Sequence, residues 1–181
     1  AEVIPNGIDL AAWEPGPGGA AAVWFGRIVP EKAPHLAVRI ARAAGLPLRL
    51  AGPVGDPVYF REILAPLLGD GATYVGHLGP GDLAALVGAS AVCLVTPAWD
   101  EPYGLVAAEA MACGTPVLAL ARGGLPEVVR PPGGAVIPPD LSLARAARVT
   151  VETAGLDRAA VRRFAEEHCS LDAAIDAYLD L

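Results

Sequence analysis

Two stretches of this 181-residue chain carry residues whose type and spacing could do chemistry. The first, Phe25-Gly26-Arg27-Ile28-Val29-Pro30-Glu31-Lys32, sets two cations five residues apart. Arg27 can grip phosphate oxygens with its planar fork, while Lys32 is a movable point charge. In a chain of formal charge −7, the pair would make a local sink for a multiply charged anion. Lys32 is also the only lysine; the other twelve of the thirteen basic residues are arginine. Ala, Gly, Pro and Arg are abundant, as in a bacterium with a GC-rich genome. There Arg replaces Lys wherever a surface charge suffices, and a surviving lysine marks a place where a compact ammonium is needed. Compositional drift, with Glu31 and Lys32 as a solvated helix start, stays open on these residues alone.

The second stretch is more specific. Trp99-Asp100-Glu101-Pro102-Tyr103-Gly104-Leu105-Val106 runs into Ala107-Ala108-Glu109-Ala110-Met111-Ala112-Cys113-Gly114. A helix opening near Tyr103 and Gly104 would point free N–H groups and its positive dipole end at an anion. Gly104, without a Cβ, would let a ligand approach the backbone. Glu109 falls in an otherwise apolar helix, where a carboxylate is costly unless something specific meets it. At 1.5 Å rise per residue it lies about 7 Å beyond the first-turn amides, with Glu101 on their other side. Two carboxylates flanking a phosphate site suit hydroxyl-bearing groups at either end of a diphosphate. That pattern fits a nucleotide sugar, ribose to Glu109 and sugar to Glu101. The plainer reading of Glu109 is a side chain that snorkels or pairs with Arg122. Its company with Glu101, Gly104, Arg27 and Lys32 weighs against that.

Other candidates carry less. His77 follows an apolar run, where backbone groups could face a nucleobase, although a loop histidine is commonly solvated. Gly123-Gly124-Leu125-Pro126-Glu127 allows close backbone approach, or is a plain turn into a helix. His35 and His168 read as structural, and Cys113 as core.

These residues need elements to position them. Short apolar runs at 21–26, 47–52, 72–76, 91–97 and 116–121, with a weaker one at 134–138, have strand length and Gly or Pro bounds. Helical patterns separate them at 34–44, 58–68, 81–89 and 103–113. Leu36, Ile40 and Ala43 share one face, and Phe60, Leu64 and Leu67 another. From 141 onward the pattern is helical, including 158–167 and then Ser170 as N-cap of 171–181. Buried strands alternating with helices predict an α/β, doubly wound, Rossmann-like parallel sheet of about six strands in one domain, residues 1–181. Ligands bind such sheets beyond the strand carboxyl ends. The loops at 26–33, 52–57, 76–81, 97–104 and 121–126 are therefore where the unusual residues should meet.

Composition narrows the function further. The chain is 54% hydrophobic and 18% charged, which is a folded domain rather than a disordered one. It holds no uninterrupted membrane-length apolar run. The net negative charge argues against a nucleic-acid partner. Three cysteines, Cys93, Cys113 and Cys169, have no metal-like spacing and suit a reducing cytoplasm.

The segment from Glu101 through Glu109 to Val117 resembles the E-x7-E motif of glycosyltransferase family 4, retaining enzymes of GT-B architecture that use nucleotide sugars. Val3-Ile4-Pro5-Asn6-Gly7-Ile8-Asp9 resembles the segment opening that family's second domain. Phe25-Gly26-Arg27 with Glu31-Lys32 is similar to its diphosphate clamp, Gly123-Gly124 with Pro126-Glu127 to a further motif, and the region of Phe164 and Tyr178 to its closing helices. The resemblance covers nearly the whole chain. It implies that Arg27 and Lys32 neutralise the donor diphosphate, that Glu101 meets the donor sugar near the reacting centre, and that Glu109 holds the ribose. It further implies that the amides of Tyr103, Gly104, Leu105 and Val106 contact phosphate and sugar, with His77 near the base and no metal or other cofactor. One departure is the glycine that usually follows the clamp lysine, here Ala33-Pro34, which can still start a helix. The resemblance also implies a two-domain protein whose acceptor-binding N-terminal domain is absent here. This chain would be an excised C-terminal half or would pair with a separate subunit. Any membrane contact would fall to the absent half. A non-catalytic nucleotide-sugar-binding or subunit-docking domain is the alternative; a sugar-nucleotide epimerase fits the motif poorly.

Overall fold

The computed structural model describes residues 6–179, apart from the side chains of residues 173 and 176–178. Tyr178 and the 3–5 part of the opening segment thus lie outside the described residues. All six apolar runs form strands: β1 (Ala22–Phe25), β2 (Leu48–Ala51), β3 (Ala72–Gly76), β4 (Val92–Val95), β5 (Val117–Leu120) and β6 (Gly134–Ile137). They make one parallel sheet in the order β3-β2-β1-β4-β5-β6. The side-chain period of two sorts each central strand between two cores. Val23, Phe25, Cys93, Val95, Val117 and Ala119 enter one core. Trp24, Leu50, Leu94, Leu118 and Leu120 enter the other. Apolar residues on both faces are what a sheet covered on both sides requires.

Helix α1 (Pro34–Ala43) covers the second core, and α6 (Leu143–Ala154) packs against it. Its buried stripe is Ala37, Val38, Ile40 and Ala41; Ala43, expected on that face, is exposed because the stripe has rotated away by the last turn. The first core is covered by α3 (Pro80–Gly88), α4 (Leu105–Ala112), α5 (Leu125–Val128) and α7 (Arg158–His168). In α4, Ala107, Ala108, Ala110 and Ala112 are fully buried, and their small side chains bring the helix close to the sheet. The pattern at 58–68 resolves into α2 (Pro57–Tyr59), a wide π turn at Phe60–Leu64 and a tight turn at Ala65–Leu67. Pro66 lacks an N–H and crowds the carbonyl four residues back, so a regular helix cannot run through it. Asp56 caps the start, accepting from the amides of Val58 and Tyr59.

The tail closes the domain. Arg158 donates to the carbonyls of Gly88 and Ser90 at 2.8 Å. Arg162 donates to the carbonyls of Trp13 and Ala112 at 2.7 Å. Both guanidinium groups thereby tie α7 to loop and helix ends, where free carbonyls favour cations. Helix α8 (Leu171–Leu179) follows, and Ile8 bridges to Ser170 just before it. No helix among the described residues is long and apolar enough to cross a membrane.

Candidate functional site

Strands β1 and β4 are neighbours, yet the chain leaves β1 for α1 on one face and β4 for α4 on the other. The loops must diverge there, and a crevice opens between them. Two bonds stitch its walls. The Thr96 hydroxyl donates to the Ala33 carbonyl at 3.1 Å, and the Ala98 amide donates to the Glu31 carbonyl at 2.8 Å. Between them lies a cleft of about 490 Å³ whose walls include Lys32, Trp99, Glu101, Tyr103, Gly104, Leu105, Val106 and Glu109.

Lys32 ends a short turn at Pro30–Lys32, and Ala33 after it adopts φ 45°, ψ 51°. That left-handed conformation favours glycine, which gives the substitution there a physical meaning. Alanine tolerates it at a cost of roughly 1–2 kcal/mol, and Pro34 then opens α1. The turn presents the Lys32 ammonium to Glu101 Oε2 as an ion pair. The Trp99 indole N–H donates to the same oxygen at 3.2 Å, and Lys32 Nζ lies 5.2 Å from the centroid of the Trp99 ring.

The Glu109 carboxyl group forms no ion pair or hydrogen bond with any described residue, Arg122 included. Burial pushes its carboxyl up to about 7. An unpaired carboxylate on the wall of a cleft, in a helix otherwise built of Ala, Leu, Val and Met, is a group held ready for something absent from the fold. The first-turn amides of α4 stand between the two acids. Leu105 and Val106 find no backbone acceptor among the described residues, whereas Ala107 already bonds to the Gly104 carbonyl.

The glycines serve packing more than ligand access. Gly104 caps α4 at φ 95°, and a Cβ there would meet Leu125 Cδ2 at 2.5 Å. Gly124 donates its amide to the Glu101 carbonyl at 2.7 Å, and a Cβ on it would sit 2.6 Å from the Pro102 carbonyl oxygen. The close approach allowed by Gly123-Gly124 is thus that of the Glu101 loop itself.

The structure gathers Lys32, Glu101, Glu109 and residues 103–106 on one cleft. It does not bring Arg27 or His77 onto the wall. Arg27 is exposed beside the cleft residue Gly26, its stem lying over Gly55 and its guanidinium without a partner among the described residues. His77 is exposed at the end of β3, two strands away from β1. His35 bonds to the Tyr59 hydroxyl, and His168 packs on Phe164 with the rings tilted and centroids 4.6 Å apart. Cys93, Cys113 and Cys169 are buried and free. Among the described residues, no three His, Cys, Asp or Glu side chains gather as a metal site would need. The residue that sequence reasoning passed over is Trp99. Its one signal was a large aromatic side chain left in a loop two positions before an acid.

A six-stranded sheet in this order, with a charged cleft at its switch point, defines a Rossmann-like domain. The profile described as "Glycosyl transferases group 1" matches residues 15–165, and the chain belongs to that family. The D-inositol 3-phosphate glycosyltransferase of Rhodococcus erythropolis is 38% identical over 154 residues, covering 71% of this chain and 35% of that protein. The chain thus spans about a third of that relative's length. AviGT4, a glycosyltransferase involved in avilamycin A biosynthesis, superposes with a TM-score of 0.87 at 28% identity, over 99% of this chain and 57% of its own. Sucrose-phosphate synthase from Thermosynechococcus elongatus does so with a TM-score of 0.81 at 30% identity, over 98% and 51%.

Proposed function

We propose that this domain is the donor-binding half of a retaining glycosyltransferase, moving a sugar from a nucleoside-diphosphate sugar to an acceptor held by a second domain. The observation that carries the reading is the sharing of one cleft by Lys32, Glu101, Glu109 and the open amides of α4. The diphosphate lies across the α4 N-terminus, where amide donors and the dipole favour it. Glu109 accepts from the ribose hydroxyls and Glu101 from hydroxyls of the sugar. In the transfer, the bond from the sugar's anomeric carbon to the diphosphate oxygen breaks and the acceptor oxygen bonds to that carbon. The acceptor's proton leaves with the diphosphate. Negative charge grows on the leaving group, and Lys32, Arg27 and the amides stabilise it where it develops. These cations supply what a metal would otherwise supply, so the reading needs none. Arg27 must swing in from its exposed position to take part.

Transfer needs both reactants in near-attack geometry, so this half alone binds donor and hardly turns over. A purely binding or docking role is the weaker reading, because every charged position of the cleft is kept. Buried free thiols fit a cytoplasmic setting. Calorimetric titration with UDP-, GDP- and ADP-sugars tests the proposal. Saturable binding of one of them supports it, and no binding by any nucleoside diphosphate overturns it.

A further inference from the structure

We infer that Trp99 is a positioning residue of this cleft, fixing Glu101 through one carboxylate oxygen so that the other is left to take a sugar hydroxyl. The inference rests on the donor-site reading above and extends it to a residue outside the charged set.

Both contacts made by the Glu101 carboxylate end on Oε2. Lys32 donates to it as an ion pair, and Trp99 Nε1 donates at 3.2 Å. Oε1 has no hydrogen-bond partner among the described residues. A carboxylate has about four lone-pair sites, so anchoring one oxygen leaves the other free to accept. Two donors from different directions also stop the side chain from turning over and exchanging its oxygens. Lys32 alone would not hold it, because an ammonium on a flexible stem swings with its partner.

Trp99 restrains that stem as well. The ammonium sits 5.2 Å from the indole centroid, within the range at which the ring face attracts a cation. The three groups form a closed set: indole N–H to carboxylate, carboxylate to ammonium, ammonium to indole face. Trp99 is 42% exposed, so it is not held there to fill the core. An exposed indole whose N–H and ring face both engage charged residues of the cleft wall is explained by orienting them. The ammonium keeps donors for a diphosphate while Glu101 stays in register for the sugar beyond it.

The test is Trp99→Phe, which keeps a ring face and removes the N–H. It has a readout without ligand and one with ligand. Lys32 is the chain's only lysine, so its acylation by a water-soluble acetyl ester can be followed by mass spectrometry on the one peptide that holds it, apart from the N-terminal amine. Loosening Glu101 should raise that rate about two- to threefold, with the thermal midpoint unchanged. With ligand, affinities for UDP, GDP and ADP are compared with those for UDP-glucose, GDP-mannose and ADP-glucose. Trp99→Phe should not weaken the affinity for the plain diphosphate. It should reduce the extra affinity contributed by the sugar about fivefold, the range for loss of one hydrogen bond. An unchanged acylation rate, or a sugar contribution equal to the parent's, overturns the role of Trp99. A parent that binds no diphosphate overturns the donor-site reading instead, and the two failures are distinct.

Discussion

Gly123 lies so close to the Glu101 backbone that a Cβ at 123 would stand 2.1 Å from the Glu101 carbonyl oxygen. The loop after β5 is therefore the floor under the loop after β4, and the position of the Glu101 carboxylate depends on a residue that carries no side chain. Gly123 also has φ 57°, which a Cβ resists. Gly123→Ala should cost about 1–2 kcal/mol for the left-handed backbone and roughly 1–3 kcal/mol for overpacking. At about 2–4 °C per kcal/mol for a domain of this size, the melting midpoint should fall by at least about 4 °C. Sugar-dependent binding should suffer beyond that, because Glu101 is displaced. Thermal melts and donor titration check both, and a variant melting with the parent would show that the two loops do not bear on each other.

The fold was legible because apolar runs at 91–97 and 116–121 are too short and too evenly apolar to be anything but buried strands. Lys32 and Glu109 were legible for a related reason: each is the wrong residue for its surroundings, one a lysine in an arginine-rich chain, the other an acid among alanines. The glycines were legible as special, but not their purpose. Whether a missing Cβ makes room for a ligand, for Leu125 or for the Glu101 carbonyl depends on what packs across from it, and that is set by β5 far along the chain. Trp99 was opaque because loops have no periodicity, and only the fold brings Lys32 under its ring.

Lys32→Ala should weaken nucleoside-diphosphate binding by about 1.5–3 kcal/mol, the range for hydrogen bonds to charged groups. An exposed lysine would be lost without effect on stability. Lys32, however, is ion-paired, and the Glu101 side chain left behind is only 15% exposed. The melting midpoint should therefore drop by about 2–4 °C, equivalent to about 1 kcal/mol. Calorimetry and a thermal melt on the same sample separate the two effects. Parent-like binding by the variant would return Lys32 to a structural ion pair.

Glu109 should trade stability for binding in a pH-dependent way. Burial raises its carboxyl from 4.5 in the unfolded chain to about 7 in the folded one. Between those values the folded state holds a proton that the unfolded state does not. Its contribution to stability therefore grows as pH falls from about 7 towards 4.5 and is lost as pH rises through 7. At pH 8 the buried charge is a burden that Glu109→Gln removes. The variant should melt about 2–4 °C higher there, or roughly 1 kcal/mol once the group's partial exposure is discounted. The gap should narrow steadily as pH falls and close only below about 4.5. A difference that does not change with pH would mean that the carboxyl titrates alike in both states.

The two acids should separate when the ligand is a plain nucleoside diphosphate, which has a ribose but no transferred sugar. Glu109→Gln exchanges a charge-assisted bond to the ribose hydroxyls for a neutral one, and affinity should fall by roughly 1 kcal/mol or more. The parent's affinity should also fall more steeply below pH 7 than the variant's, because Glu109 takes up its proton there in addition to the proton that the terminal phosphate takes up in both. Glu101→Gln removes nothing that the diphosphate uses. It also frees Lys32 from the ion pair that competes with phosphate, so affinity should be unchanged or modestly tighter. The same change should strongly reduce the added affinity of the complete sugar donor, because the single amide oxygen must face Lys32 and Trp99 and an NH2 group then stands where Oε1 accepted the sugar hydroxyl. Titrating both variants with diphosphate and with donor, at pH 6 and pH 8, decides the assignment. If Glu101→Gln is the damaging change for plain diphosphate and Glu109→Gln the silent one, the nucleotide lies in the cleft in the opposite direction, with its ribose at Glu101.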